Sequence, residues 1–242
     1  MARKDKQRPG YGKLLDAWTP PEKTLQPVGC LATTFTFAPP FFEEECLARF
    51  LQLETDPVQD GVYHLVEREE KLSQVTCAAV LVDQHHCRGA RSLRWDMLPA
   101  RLPRGILHAK ISLLCWTGWT RLIVASANLT EDGYRRNQEV FAVLDFHANS
   151  ETPPSCLTET ITFLREAAAY AEPDGASHSP AVQRWRDLLD HAETTAPAST
   201  TGRRDTRTTV SPVLVGPKHP DAFAQLRALW PNGTPPNEAW VV

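Results

Sequence analysis

The chain lacks several features that would have settled its class at once. No window approaches the roughly 18 consecutive apolar residues of a membrane-spanning helix. The N-terminus, "MARKDKQRPGYGKLLDAW", is basic but has no apolar core, so it does not read as a secretory signal. An intracellular protein is the expectation. There is no C-x-x-C pair: the six cysteines (30, 46, 77, 87, 115 and 156) are scattered. Four of them lie beside or within apolar runs and read as small buried residues of a reducing compartment. No internal repeat marks a solenoid. No excess of positive charge exists either. The net charge is −3 and the pI about 6.2, which excludes a general basic coat for nucleic acid but not a local cationic groove.

What is present is enough apolar residue, 42% of 242, for a sizeable core. Strand-like and helix-like segments alternate. "CLATTFTF" (30–37), "VTCAAVLV" (75–82), "ILHAKISLLCW" (106–116), "RLIVASAN" (121–128) and "QEVFAVLDF" (138–146) read as strands. "APPFFEEECLARFLQL" and "LTETITFLREAAAYA" read as helices, and "VYHLVEREEKL" is ambiguous. The alternation predicts a layered α/β domain. Residues 1–27, charged and with four prolines, read as a flexible arm, and 28–172 as the main lobe. Residues 173–211, rich in Pro, Ser, Thr and Ala, read as a linker with a short helix, and 212–242 as the beginning of an incomplete second lobe.

Two of the apolar strands carry polar residues where a core would not want them. Side chains on a strand alternate faces, so His108 and Lys110 project together, as do Ser126 and Asn128 on the next strand. Glu139 opens a third strand and can reach the same end of the sheet. Lys and Asn suit the oxygens of a phosphate, with Ser126 as a further donor. A neutral imidazole can attack phosphorus, and a carboxylate can fix its tautomer. No metal or cofactor is needed if Lys110 and Asn128 neutralise the developing charge. Taken singly, Ser126 and Asn128 could cap a turn and Glu139 could be an exposed strand residue. Lys110 inside an apolar run has no inexpensive structural explanation.

These residues resemble the H-x-K…N signature of the phospholipase D superfamily. The family's Asp five residues after the Lys is replaced here by Cys115, as in the tyrosyl-DNA phosphodiesterase branch. That branch is also resembled in "LL" after the Lys, in R-x-x-V followed by Ala-Asn-Leu, and in the Lys-to-Asn spacing. The resemblance covers residues 104–146 strongly and 28–103 more weakly. It implies an α/β/α lobe with a mixed central sheet. His108 would be the nucleophile or acid/base, Lys110 and Asn128 the phosphate ligands, Ser126 an assistant, and Glu139 the group that orients the imidazole. The implied activity is phosphodiester hydrolysis through a phosphohistidine, at a DNA end, in DNA repair. Lipid-acting relatives and non-catalytic phosphate- or DNA-binding lobes are the alternatives. The family uses two such motifs, and only His108 among the eight histidines has Lys two residues on. A homodimer, a longer chain or a degenerate lobe would each account for the single motif.

Other groups stay open to two readings. Arg88, Arg91, Arg94, Arg101 and Arg104 could line a groove for a phosphodiester backbone or sit on a solvated loop. Trp116, Trp119, Tyr134, Arg135 and Arg136 could stack on or bind a nucleic-acid end, or simply pack. "DQHHCRG" could suggest a metal, but no second Cys/His pair stands at ligand spacing.

Overall fold

The computed structural model describes residues 13–89, 92–171, 179–196 and 210–230. Six strands form one mixed sheet: β1 (Pro27–Thr34), β2 (Cys77–Asp83), β3 (Asp96–Ala100), β4 (Ile111–Trp116), β5 (Trp119–Ala125) and β6 (Phe141–Phe146), in the order β3-β2-β1-β4-β5-β6. β1, β2 and β3 run parallel, while β4, β5 and β6 are antiparallel to their neighbours. The α/β class and the sheet between helical layers are as the sequence predicts. Among the described residues no helix is long and apolar enough to cross a membrane.

The central strands are apolar on both faces because both are covered. Along β4, Ile111, Leu113 and Cys115 enter one core and Leu114 and Trp116 the other. The first core is closed by α4 (Pro154–Ala168) and α5 (Pro180–Thr194). The second is closed by a continuous helical stretch: α1 (Pro39–Phe41), a π-helical turn (Phe42–Leu47) and α2 (Ala48–Phe50). The ambiguous segment at 62 is helix α3 (Val62–Gln74). The last helix among the described residues is α6 (Ala222–Leu229), capped by Asp221, whose Oδ1 accepts from the Ala224 N–H at 3.0 Å.

The structure redraws two of the expected boundaries. Residues 14–18, placed in the flexible arm by the sequence, form a 3₁₀ turn whose Leu14, Leu15, Ala17 and Trp18 are buried. Residues 1–12 lie outside the described residues. The short helix assigned to the linker is α5, a core helix that buries Val182, Trp185, Leu188, Leu189 and Ala192 at helical spacing. Gly29 makes its approach possible, since a Cβ there would stand 2.8 Å from both Leu188 and the Cys77 carbonyl. Proline- and serine-rich flanks hid this amphipathic stripe. At "VLVGP", near the expected start of a second lobe, residues 213–217 form no strand.

Candidate active site

The carboxyl ends of the parallel strands, the start of β4, the end of β5 and the start of β6 all meet at one end of the sheet. Open α/β sheets place ligand sites at the carboxyl ends of their strands. His108, Lys110, Ser126, Asn128 and Glu139 are all at this end. None lies on a strand, which corrects the sequence reading: β4 begins at Ile111, β5 ends at Ala125 and β6 begins at Phe141. The residues share a site because they flank adjacent strand ends, not because strand alternation aligns them.

Lys110 is 9% exposed, and His108 is exposed. Lys110 Nζ lies 3.1 Å from His108 Nδ1, 3.3 Å from Nε2 and 3.0 Å from the His108 carbonyl. The two ring nitrogens stand almost equally far from Nζ. Burial and then the Lys110 charge hold the His108 pKa below its ordinary value. Burial also lowers the Lys110 pKa, and the charge of Glu139 opposes that shift. A lowered His108 pKa favours the neutral imidazole, the form a nitrogen nucleophile requires.

The two threonines that end β1 hold the site from opposite faces of the strand. Thr33 Oγ1 donates to the Ala109 carbonyl at 2.9 Å and accepts from the Ile111 N–H at 3.0 Å. It therefore brackets Lys110. Thr34 Oγ1 accepts from the Leu129 N–H at 3.1 Å and lies 3.3 Å from Asn128 Oδ1. Asn128 Oδ1 also accepts from the Phe35 and Thr36 N–H groups at 3.3 and 3.2 Å. With its oxygen so engaged, the Asn128 side chain has its Nδ2 hydrogens to offer a ligand. Gly133 packs on the Asn128 backbone, where a Cβ would stand 2.4 Å from the carbonyl oxygen. Asp83, 2% exposed at the end of β2, accepts from the Leu107 and His85 N–H groups at 2.9 and 3.0 Å. It fixes the approach to His108. Thr33, Thr34 and Asp83 escaped the sequence reading. Their only signal is that they close two apolar strands with polar residues.

Glu139, which the resemblance makes the group that orients the imidazole, has its hydrogen bonds with other residues. Its carboxylate accepts from Ser126 Oγ and, at 3.3 Å, from Asn137 Nδ2. Ser126 Oγ in turn accepts from the Val140 N–H at 3.0 Å. Among the described residues it is Lys110, not Glu139, that contacts the His108 ring. Phe35 packs on that ring at 5.0 Å between centroids, and on His86 at 4.2 Å. Cys115 lies in the apolar core, and burial pushes its thiol up to about 12, so this position holds no charge.

The candidate nucleic-acid contacts are drawn elsewhere. Trp116 is 1% exposed and donates to the Phe50 carbonyl at 3.2 Å. Trp119 stacks on His147 at 3.9 Å, at the far end of the sheet. The Tyr134 hydroxyl accepts from Trp18 Nε1 at 3.3 Å, and Phe41 packs on its ring. Arg135 pairs with Glu45 and Glu131, Arg136 with Asp132, and Arg94 with Glu69. Arg91 lies outside the described residues. Arg104 lines a cavity together with His108. A second cavity, of about 650 Å³, is walled by Lys110, His108, Val124, Leu144, Phe163 and Val213 among others. No group of three or more His, Cys, Asp or Glu among the described residues could hold a metal.

No family model and no curated protein matches the chain. Solved structures of yeast tyrosyl-DNA phosphodiesterase are similar to it. A mutant form is 13% identical with a TM-score of 0.45, covering 74% of this chain and 36% of that one. Another structure of the yeast enzyme is 14% identical with a TM-score of 0.41, covering 70% and 37%. The chain spans little more than a third of the length of those solved chains.

Proposed function

We propose that this site cleaves a phosphodiester by attack of the His108 imidazole on phosphorus, forming a phosphohistidine that water then hydrolyses. Lys110 and Asn128 hold the phosphate oxygens, and the Ser126–Glu139 pair shapes the rim. The observation that carries the reading is Lys110: a buried ammonium whose near contacts are the His108 ring and carbonyl, with no carboxylate of the described residues in ion-pair distance. Burying a charge without a counter-ion is costly, and an anionic ligand supplies the missing partner. The proposed substrate is a DNA end and the setting intracellular DNA repair, by resemblance of the motif. A homodimer is the proposed partner arrangement, testable by sedimentation. The apolar wall of the 650 Å³ cavity beside His108 favours a second reading, a lipid phosphodiester.

The test is turnover of a 3′-phosphotyrosyl oligonucleotide and of a phosphatidylcholine vesicle by the full chain, wild type and His108→Ala. Release of tyrosine that requires His108, with an acid-labile phosphoenzyme, supports the first reading. Release of choline alone selects the second. Activity that survives His108→Ala overturns both.

A further inference from the structure

Expelling an alkoxide or phenoxide from phosphorus requires a proton for the departing oxygen, and the attacking imidazole cannot supply it. The cavity beside His108, about 530 Å³, contains one other imidazole. His219 lines it together with Arg104, Glu166 and Tyr170. His219 Nε2 lies 3.2 Å from Glu166 Oε2 on α4, and Phe163 of the same helix packs on its ring at 5.9 Å. A carboxylate on one ring nitrogen fixes the ring and leaves Nδ1 for a second partner.

The segment carrying His219 is held on both sides. The His219 N–H donates to the Gly216 carbonyl at 3.0 Å. Gln225 of α6 clamps the segment from below: Oε1 accepts from the Leu214 N–H at 3.1 Å, and Nε2 donates to the Leu214 and Pro220 carbonyls at 2.7 and 2.6 Å. Lys218 adds a longer pairing to Glu166 at 4.0 Å. The other imidazole near the site, His86, packs on Phe35 and is not among the residues lining this cavity.

We propose that His219, oriented by Glu166, is the proton donor to the leaving group at the His108 site, so that the acid comes from the same chain. The proposal rests on the phosphodiesterase reading. In the first step a His108 nitrogen bonds to phosphorus and the P–O bond to the leaving group breaks. The Nδ1 proton of the His219 imidazolium goes to the departing oxygen, and His219 becomes neutral. In the second step a water oxygen bonds to phosphorus, the P–N bond breaks and a water proton goes to His219 Nδ1. Both imidazoles return to their starting states.

Leaving-group chemistry provides the test. Two thymidine 3′-phosphodiesters are compared, one with 4-nitrophenol as leaving group, which departs without a proton, and one with methanol, which does not. In His219→Gln the rate ratio of nitrophenyl to methyl ester should rise about 100-fold over wild type, the scale of a lost general acid. Glu166→Gln should raise it by a smaller factor. Circular dichroism melts of each variant establish that the fold is kept. An equal loss on both esters, or the same ratio change in Tyr170→Phe, overturns the proposal while leaving the phosphodiesterase reading intact. Failure of wild type to cleave either ester overturns that reading and this proposal with it.

Discussion

Lys110, just before β4, and Arg121, inside β5 opposite Leu114, belong to one antiparallel strand pair, are both 9% exposed, and are paired in different ways. Arg121 has four of its five N–H donors engaged. Its Nε donates to Asp145 Oδ1 at 2.7 Å and its Nη2 to Oδ2 at 2.9 Å, while Nη1 reaches the Ala17 and Thr19 carbonyls at 3.1 and 2.9 Å. Nearby Trp119 donates to the same Asp145 and stacks on His147. Lys110 has no such carboxylate among the described residues and spends its contacts on His108. Equal burial with unequal pairing separates a charge that holds the fold from one that, on the proposed function, serves a ligand. The first ties the N-terminal 3₁₀ turn to the sheet. The second has the Glu139 charge acting on it and contacts the His108 ring and carbonyl.

The comparison can be broken at either end. The largest effect expected is on turnover: His108→Ala should lower the rate on a phosphodiester by at least about 1,000-fold, measured at substrate saturation, with the melting temperature little changed. Next, Arg121→Met should destabilise the fold by about 3 kcal/mol in urea unfolding, because it leaves Asp145 without its cation. Lys110→Met should do the reverse. Stability should change by less than about 1 kcal/mol or rise, while affinity for inorganic phosphate, read by calorimetry, should fall about tenfold. A large loss of stability in Lys110→Met would erase the distinction between the two ends.

The smallest effect sharpens the electrostatics. The His108 pKa is lowered by burial first and by Lys110 second. On the proposed function its neutral form is the nucleophile, so a lowered pKa keeps the site competent to lower pH than an ordinary histidine would. Lys110→Met removes the second cause. The His108 titration, followed by NMR, should move up toward the ordinary value, and the acid limb of any residual rate should move up with it. A titration that stays put would show that Lys110 does not act on the ring.

The polar residues at the strand ends were legible in the sequence because an unpaired Lys in an apolar run is conspicuous. His108, Lys110, Ser126, Asn128 and Glu139 do gather at one end of the sheet. Their placement on strand faces was not legible, since "ILHAKISLLCW" reads as unbroken strand although pairing starts at Ile111. Thr33 and Thr34 were equally hidden. A threonine pair at a strand end is ordinary, and only the fold shows that one grips the Lys110 segment and the other Asn128. For Tyr134, Arg135 and Arg136 the sequence left binding and packing open. Trp18 and Glu45, more than eighty residues earlier, engage Tyr134 and Arg135.

By itself the sequence determined the α/β class, the two-faced apolar strands and the residue types of the candidate site, because periodicity and composition are local properties of the chain. Only the tertiary structure decided which charges are satisfied. It gave Arg121 a carboxylate and Lys110 an imidazole, drew α5 and Leu14–Trp18 into the core, and brought His219 to the wall of the His108 cavity. Pairing and burial depend on residues far apart along the chain, and no pattern within a short window records them.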